Sequence, residues 1–187
     1  MGAKFPFFLC CRPWQRGVFM TDATPTLADN YKALARTWAA TVTVITMLDE
    51  NDDLDGFTAT AFLTVSIDPP IILVSVQKSS LASDTLSRCK AFAVNLLAPD
   101  QAEIANTFAR PQVQRKESWS SLSFNEGVAG APLLQGTAGA FTATVRQVIE
   151  AGDHLLVLGD VKDIHVHESA ETLMYHNRRY GKVAYHE

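Results

Sequence analysis

The feature that most restricts the fold is a pair of long β-type segments joined by a very short turn. Thr137–Ile149 alternates between apolar or small residues and polar ones, and Leu155–Val166 is predicted to return as a second long strand. Gly152-Asp153 supplies the turn between them. Because a connection this short joins antiparallel neighbours, we expect a β-rich domain with antiparallel strand pairing.

Shorter β-type segments, rich in β-branched and apolar residues, precede this pair. They predict strands over Thr41–Met47, Phe57–Ser66, Ile71–Gln77 and Ala91–Leu97. The acidic stretch Asp49–Asp55 is interpreted as a solvated hairpin tip, with cation binding as the alternative. The polar segment Arg110–Ser123 is predicted to be a mobile loop.

Helical periodicity appears in three places. In Thr26–Trp38, four apolar residues fall on one face of a helix that Thr26 can cap, with Asp29 three residues later. Ser79–Cys89 and a segment from Pro99 to Phe108 predict two further helices. The chain is therefore expected to be an α+β domain, mainly β, in which a closed or split barrel covers the strand edges.

Composition excludes several classes of protein. The 187 residues are 47% apolar and 19% charged, with a net charge of −4, so no basic nucleic-acid surface is expected as a global feature. No apolar run approaches the roughly 20 residues of a membrane-spanning helix. Three cysteines without a CxxC pair fit a reducing compartment, and we expect a cytoplasmic protein with no nucleic-acid or membrane partner.

The N-terminal 25 residues differ from the rest in holding several aromatic and basic residues. Lys4 precedes the apolar stretch Phe5–Cys11, which resembles an export signal, but Pro6 interrupts it and no clean cleavage site follows. We expect residues 1–25 to be an extension outside the fold and residues 26–187 to form a single domain.

The common catalytic and cofactor signatures are absent from the sequence. It contains no GxGxxG dinucleotide motif, no phosphate-binding Walker loop, no GxSxG elbow and no HExxH. His165 and His167 form an HxH pair, but two ligands are too few for a closed zinc site. We interpret the pair as a solvated strand face, with Val166 pointing inward, and expect no metal.

Hydroxyl side chains concentrate on two neighbouring strands and at one helix start. The strand hydroxyls include Thr41, Thr43, Thr58 and Thr60. Lys78-Ser79-Ser80 lies between a strand and a helix, with Ser83 one turn later. A helix N-terminus with hydroxyls and a lysine is a candidate phosphate site, and one of these serines can equally be the N-cap. The two interpretations are compatible, because a cap leaves other N–H groups free.

Four motifs in register carry a family resemblance. Gly56–Val76, Ala91–Ala109 and Gly130–Val145, followed by the triplet Gly152–His154 and by Tyr180, resemble the flavin reductase family of FMN-binding split barrels. The resemblance implies an antiparallel, Greek-key-like split barrel with a few peripheral helices. It also implies an NAD(P)H:flavin oxidoreductase that reduces FMN, or FAD, with NADH or NADPH by hydride transfer.

The same resemblance implies the flavin-binding residues. The ring would be lined by Thr58, Ala59, Thr60 and Ala61, beside Thr41 and Thr43 on the neighbouring strand. The phosphate side would comprise Gln77, Lys78, Ser79, Ser80 and Ser83. Phe108 would cover the ring or the adenine, or instead pack its helix onto the barrel. The chain has Ala61 where many members carry serine, a departure that points to weaker flavin binding.

By the same analogy His154 is the expected catalytic residue, near the nicotinamide, where it would bind the carboxamide or a cofactor phosphate without acting as an acid or base. The alternative is that His154 is only a turn residue before a strand. Arg178 and Tyr180 would reach the pyridine nucleotide, or lie on a surface turn or tail helix. Family members are small reductase components that release reduced flavin to a partner monooxygenase, and they usually form homodimers. Two other functions stay open: a flavin-binding electron carrier or sensor without turnover, and an oxidase related to pyridoxamine-phosphate oxidase.

Overall fold

The structure is a computed structural model that describes residues 24–167 and 171–185. The predicted N-terminal extension therefore lies, apart from its last two residues, outside the described residues.

Most of the described chain is β-strand. The strands are β1 (Ala40–Thr41), β2 (Thr43–Leu48), β3 (Leu54–Ala59), β4 (Phe62–Ile67), β5 (Pro70–Gln77), β6 (Ala91–Leu96), β7 (Phe124–Glu126), β8 (Pro132–Leu134), β9 (Gly139–Ala151), β10 (His154–Val166), β11 (Met174–His176) and β12 (Arg179–Gly181). Seven of them form one sheet in the order β3-β2-β6-β9-β10-β5-β4, with every pair antiparallel. The prediction of a mainly β, antiparallel domain is confirmed.

The sheet coils into a barrel that is split between consecutive strands. β3 and β4 follow each other in the chain but form opposite edges of the sheet, and β3 also contacts β5, the neighbour of β4. The predicted single strand over Phe57–Ser66 is therefore wrong, because Thr60 and Ala61 separate two strands with different partners. The chain crosses there from one edge to the other.

The long hairpin is confirmed. β9 and β10 pair along their length with Ala151 opposite His154, and Gly152-Asp153 forms the two-residue loop. At the far end of the hairpin the prediction for Val166 is wrong, since its side chain is 78% exposed. Residues 162–167 are all exposed, so alternation there does not distinguish a buried face.

The core lies in two main layers. The barrel interior is filled by Ile45, Met47, Phe57, Ile72, Val74, Val76, Ala82, Leu86, Phe92, Val94, Ala143 and Val157. A second cluster, under the helices outside the barrel, contains Val42, Val44, Leu97, Ala105, Phe108, Trp119, Leu134 and Leu173. Burial of these apolar side chains is the main favourable term in folding.

Four α-helices flank the sheet: α1 (Leu27–Ala35), α2 (Leu81–Arg88), α3 (Ala102–Phe108) and α4 (Gln112–Ser118). The predicted cap of α1 is confirmed, because Thr26 and Asp29 form a reciprocal capping box. The apolar side of that helix does not pack on the described chain: Tyr31 and Trp38 are 74% and 79% exposed.

No helix of residues 24–167 and 171–185 has the length and hydrophobicity that crossing a membrane requires.

The segment predicted as a mobile loop, Arg110–Ser123, is instead mostly helical. It contains α4 and a short 3-10 helix, Trp119–Ser121. Arg115 of α4 is buried and forms an ion pair with buried Asp55, the Nη2–Oδ1 distance being 3.2 Å. The interpretation of Asp49–Asp55 as a solvated tip is therefore wrong at Asp55, which belongs to β3.

Candidate functional site

A cleft of about 960 Å³ lies beside the split of the barrel. It is bounded by α1 and the residues after it, by the β3–β4 junction and by the turn between β11 and β12. Its lining comprises Tyr31, Lys32, Leu34, Ala35, Arg36, Thr37, Trp38, Ala40, Thr60, Ala61, Tyr175 and Arg178. This volume is within the range of about 300–1,000 Å³ that small-molecule sites usually have.

The β3–β4 junction presents part of the predicted ring-binding set to this cleft. Thr60 and Ala61 are exposed, and the Ala61 carbonyl accepts a hydrogen bond from the Ser75 amide at 2.9 Å. Within the part of the chain that the structure describes, the Thr60 hydroxyl has no hydrogen-bond partner. The junction therefore combines an anchored backbone with a free hydroxyl.

The other threonines of the predicted set support this junction from behind. Thr43 is buried and its hydroxyl donates to the Ala59 carbonyl at 2.8 Å. Thr58 is half-buried and donates to the Ala105 carbonyl on α3 at 2.7 Å. Both hydroxyls are thus used in holding the end of β3, which leaves its neighbours Thr60 and Ala61 to face the cleft.

Thr41 and Thr43 belong to two strands in different sheets, although the sequence predicts a single strand over Thr41–Met47. It belongs to β1, which pairs with β11 in a three-stranded sheet with β12. Its hydroxyl donates to the Met174 sulfur at 3.7 Å. Thr41 therefore helps to attach the C-terminal hairpin, one wall of the cleft, to the barrel.

The loop from β5 to α2 carries the predicted phosphate-side residues. Ser80 is the N-cap of α2, with its hydroxyl accepting from the Ala82 amide at 3.3 Å. Ser83 is buried and donates to the carbonyls of Lys78 and Ser80, at 3.1 and 2.6 Å. The Ser83 hydroxyl therefore holds the loop together, while Ser79 is exposed.

The structure brings His154 to the same end of the sheet as this loop. His154 lies directly opposite Gln77 where β10 pairs with β5, and the Lys78 amide donates to the Asp153 carbonyl at 2.9 Å. The Lys78 Nζ forms an exposed ion pair with Glu150 at 2.8 Å, and this hydrogen bond lowers the pKa of Glu150. The predicted nicotinamide-side and phosphate-side residues are thus neighbours.

The His154 ring is oriented by the residue before it. Its Nδ1 lies 2.8 Å from Oδ1 of Asp153, and this hydrogen bond lowers the pKa of the Asp153 carboxyl. Because a carboxylate only accepts, Nδ1 is the protonated nitrogen, and Nε2 of the neutral ring is left as an acceptor. The half-exposed imidazole can therefore accept one hydrogen bond from a bound ligand.

Arg178 and Tyr180 lie in different surroundings, although both are predicted from the family resemblance to reach the pyridine nucleotide. Arg178 lines the cleft from the β11–β12 turn. Tyr180 packs against Tyr175 and its hydroxyl donates to Oδ1 of Asn106 on α3 at 3.0 Å. Burial of Tyr180 raises the pKa of its phenol. The structure therefore places only Arg178 of this pair at the cleft.

Phe108 is a core residue. Its side chain is 1% exposed and packs edge-on against Trp119, with the ring centroids 5.1 Å apart. The alternative that Phe108 packs its helix onto the barrel is the one that the structure shows, since a side chain inside the core presents no surface to a ligand.

Sequence reasoning missed the residues that α1 and β11 contribute to the cleft. Tyr31 and Trp38 were predicted only as part of an amphipathic helix, and Lys32, Arg36 and Tyr175 received no role. The available signal was the apolar face of α1, which periodicity alone assigns to a core. For metals, the described ranges contain no group of three His, Cys, Asp or Glu side chains that could hold an ion.

The arrangement suits a planar, phosphorylated ligand. Exposed backbone and a free hydroxyl at Thr60-Ala61 can meet the edge of a ring, and the loop with Lys78 and Ser79 offers donors to a phosphate. His154 adds an acceptor at the adjoining end of the sheet. The residues present therefore fit a flavin.

Comparison with known proteins supports this chemistry. The chain is 35% identical over 170 residues to a protein named NADH:FMN oxidoreductase from Rhodococcus qingshengii, covering 84% of this chain and 85% of that protein. It is 36% identical over 122 residues to the reductase component of a flavin-dependent trigonelline monooxygenase from Acinetobacter baylyi, covering 65% of this chain. This chain spans only 38% of that protein, and 39% of a Rhizobium meliloti relative.

Solved structures agree in fold. The NADH:FAD oxidoreductase SgcE6 of Streptomyces globisporus C-1027, solved with NAD and FAD fragments, is 25% identical and superposes with a TM-score of 0.78. The match covers 88% of this chain and 98% of that one. The family described as flavin reductase like domain matches residues 35–184, which include all the strands from β1 to β12, and the chain belongs to that family.

Proposed function

We propose that this chain is an NAD(P)H-dependent flavin reductase that releases reduced flavin to a separate monooxygenase. The observation that carries the proposal is the continuity of the site: Thr60-Ala61 at the cleft connects through Ser75 to Gln77 and His154 on neighbouring strands. The relatives named NADH:FMN oxidoreductase and reductase component of a monooxygenase support the same reaction class.

The residues that would hold the flavin form two groups. Thr58, Ala59, Thr60 and Ala61 would border the ring. Thr43 would hold Ala59 in place, and Thr41 would hold the β11–β12 hairpin that forms another wall of the cleft. Gln77, Lys78, Ser79 and Ser80 would face the phosphate, with Ser83 holding their loop in place. A bound flavin supplies a hydride acceptor, so the protein's own task is alignment of two rings at a distance of about 3–3.5 Å.

His154 would bind and orient the nicotinamide. The Asp153 carboxylate fixes its ring, which leaves Nε2 to accept a hydrogen bond from the carboxamide N–H₂ of the nicotinamide. No proton transfer is required of His154, because hydride transfer moves a proton with its electron pair. A loosely held flavin fits the release step, and the exposed Ala61, which offers no hydroxyl, is consistent with it.

The first test measures NADH and NADPH consumption at 340 nm in air, with FMN, FAD or no flavin added. Consumption that requires added flavin and saturates with it is expected. Ala61→Trp, which fills the junction, should raise the KM for flavin, whereas Ser120→Trp, at an exposed position outside the cleft, should not. Flavin binding without oxidation of either nucleotide would contradict the reductase and favour an electron carrier or sensor.

A homodimer in the cytoplasm is the second part of the proposal. The strand register places Leu63, Leu73 and Leu158 side by side on the outer face of β4, β5 and β10. Their neighbours Val74 and Val157 fill the barrel interior, whereas Leu63 is 58% exposed. An apolar strip of this kind on the outside of a barrel is typical of a protein interface.

Sedimentation measures the association directly. The wild type should sediment as a dimer and Leu63→Glu as a monomer, because a carboxylate within the strip would be desolvated on association. Leu27→Glu is the matched control, since Leu27 is an exposed leucine on α1. A monomeric wild type, or equal dissociation of the two variants, would contradict this interface.

A further inference from the structure

The loop between β5 and α2, which carries the predicted phosphate-side residues, contains a single cation. Between Gln77 and Ser83 only Lys78 is basic. The backbone of Lys78 is fixed on both sides. Its amide donates to the Asp153 carbonyl at 2.9 Å, and its carbonyl accepts from the Ser83 hydroxyl at 3.1 Å. Any change in what Lys78 binds must therefore come from its side chain.

The side chain of Lys78 is already paired with a carboxylate. Its Nζ lies 2.8 Å from Oε2 of Glu150, near the end of β9, and the two side chains are 35% and 80% exposed. The hydrogen bond from Lys78 lowers the pKa of Glu150, so this carboxyl is ionised at neutral pH. A phosphate that binds Lys78 must therefore displace the carboxylate or share the cation with it.

Two further carboxylates lie close to the loop. Asp153 belongs to the β9–β10 turn that the Lys78 amide contacts, and its pKa is lowered by the hydrogen bond with His154 and, to a smaller extent, by the charge of Lys78. Asp84 is exposed in the first turn of α2, where its negative charge offsets the positive end of the helix dipole. The loop and its surroundings therefore set one lysine against three carboxylates.

This distribution of charge opposes tight binding of a phosphate. A phosphate monoester such as that of FMN has a charge of about −1.5 to −2 at pH 7. Its attraction to Lys78 is weakened by Glu150, which competes for the cation and repels the phosphate. Riboflavin has the same ring without the phosphate, so its binding does not meet this opposition. A reductase that uses flavin as a substrate needs such weak binding, because the reduced flavin must leave.

We propose that Glu150 sets the affinity for the phosphate end of the flavin by competing with it for Lys78, and so promotes release of the reduced flavin. The carboxylate leaves Lys78 when the phosphate binds, and it returns when the phosphate departs. Glu150 acts through Lys78 and is not a catalytic residue. The inference rests on the proposed flavin reductase function and assigns a means of regulation to its phosphate side.

Flavin binding, measured by quenching of flavin fluorescence in the absence of NADH, tests this role directly. Glu150→Gln keeps the size of the side chain and removes its charge, at an exposed position where the fold should be unaffected. We expect E150Q to bind FMN about three- to fivefold more tightly at low salt, and riboflavin with an affinity changed by less than about 1.5-fold. In stopped-flow dilution, FMN should dissociate more slowly from E150Q than from the wild type.

Glu117→Gln is the matched control. Glu117 is an exposed glutamate on α4 that forms no ion pair within residues 24–167 and 171–185, so E117Q should leave both affinities unchanged. The gain in E150Q should shrink at high salt, because screening weakens exposed charge pairs. In a Lys78→Gln background the E150Q change should produce less than about half of its gain, because the cation for which the two anions compete is gone.

Three results would overturn the inference: unchanged FMN affinity in E150Q, an equal gain for riboflavin, or an equal gain in E117Q. A gain that is specific to FMN and to E150Q supports it even if the wild type oxidises no NADH, and that combination contradicts only the proposed reductase. Flavin-dependent oxidation of NADH, with unchanged FMN affinity in E150Q, contradicts only the role of Glu150. The two failures are therefore distinguishable.

Discussion

His154 lies directly opposite Gln77 on paired antiparallel strands, at the end of the sheet where the loop to α2 begins. The two residues are 77 positions apart in the chain, and only the pairing of β10 with β5 makes them neighbours. The pairing, together with the hydrogen bond from the Lys78 amide to the Asp153 carbonyl, attaches the start of that loop to the β9–β10 turn beside His154.

His154→Ala should reduce kcat/KM for NADH by about 3- to 10-fold and leave flavin affinity unchanged, because one neutral hydrogen bond contributes about 0.5–1.5 kcal/mol. His165→Ala is a close control. His165 lies at the other end of β10 and also contacts an aspartate, with Nε2 3.2 Å from Asp163. Unchanged NADH kinetics in H154A would remove His154 from the site.

Arg115→Met should lower the free energy of unfolding by about 3–5 kcal/mol, because it leaves the buried Asp55 carboxylate without its cation. Lys116→Met changes the next residue of the same helix, whose ion pairs with Asp49 and Asp53 lie at the surface, and should cost less than about 1 kcal/mol. Urea denaturation measures both values. Equal costs would contradict a structural role for the buried pair.

Arg178→Gly should stabilise the fold by about 0.5–1 kcal/mol, since relief of the left-handed strain exceeds the added freedom of the unfolded chain. Gly152→Ala tests the opposite change, because it introduces left-handed backbone strain instead of relieving it. Gly152 has a φ of +60° and no atom within 4 Å of an added Cβ, so only backbone strain is introduced. We expect G152A to lower stability by about 1 kcal/mol, and thermal denaturation of both variants compares the two effects.

The Cys89 thiol should be unreactive in the folded protein. Burial raises its pKa to about 12, so the thiolate is scarce at pH 8. In a Cys10→Ser/Cys11→Ser background, a disulfide reagent should label Cys89 slowly in buffer and rapidly in urea. Fast labelling of the native protein at pH 8 would show that the site opens.

The raised pKa of Cys89 also makes the stability of the folded protein fall at high pH. Above pH 9 the unfolded chain releases the Cys89 proton while the folded chain keeps it, so stability falls as pH rises, until about pH 12. The slope contributed by this group is at most about 1.4 kcal/mol per pH unit. Cys89→Ala should lack this contribution when the urea midpoints are compared between pH 9 and 11.

Residues whose structure depends on near neighbours were predicted correctly. The capping box of α1 needs only Thr26 and Asp29, and the β9–β10 hairpin needs only its alternation and a two-residue turn. The order of short motifs likewise indicated the family. In each case the interaction joins residues close in sequence, or the pattern itself identifies the relatives.

Residues whose environment comes from distant parts of the chain were predicted poorly. The polar composition of Arg110–Ser123 indicated a loop, because nothing in that segment reveals that Arg115 pairs with Asp55, 60 residues earlier. The strand break at Thr60-Ala61 was missed for a similar reason, since β3 and β4 take different partners at opposite edges of the sheet.

By itself the sequence determined an antiparallel, mainly β domain, its capped first helix, its long hairpin and its family. The tertiary structure decided which of the predicted residues meet. It placed Phe108 in the core and used the hydroxyls of Thr43 and Ser83 inside the fold. It also turned the aromatic face of α1 and Arg178 toward one cleft. The physical reason is that local hydrogen bonds and periodicity depend on residues close in sequence. A cleft, by contrast, exists only where separate strands, helices and turns pack around it.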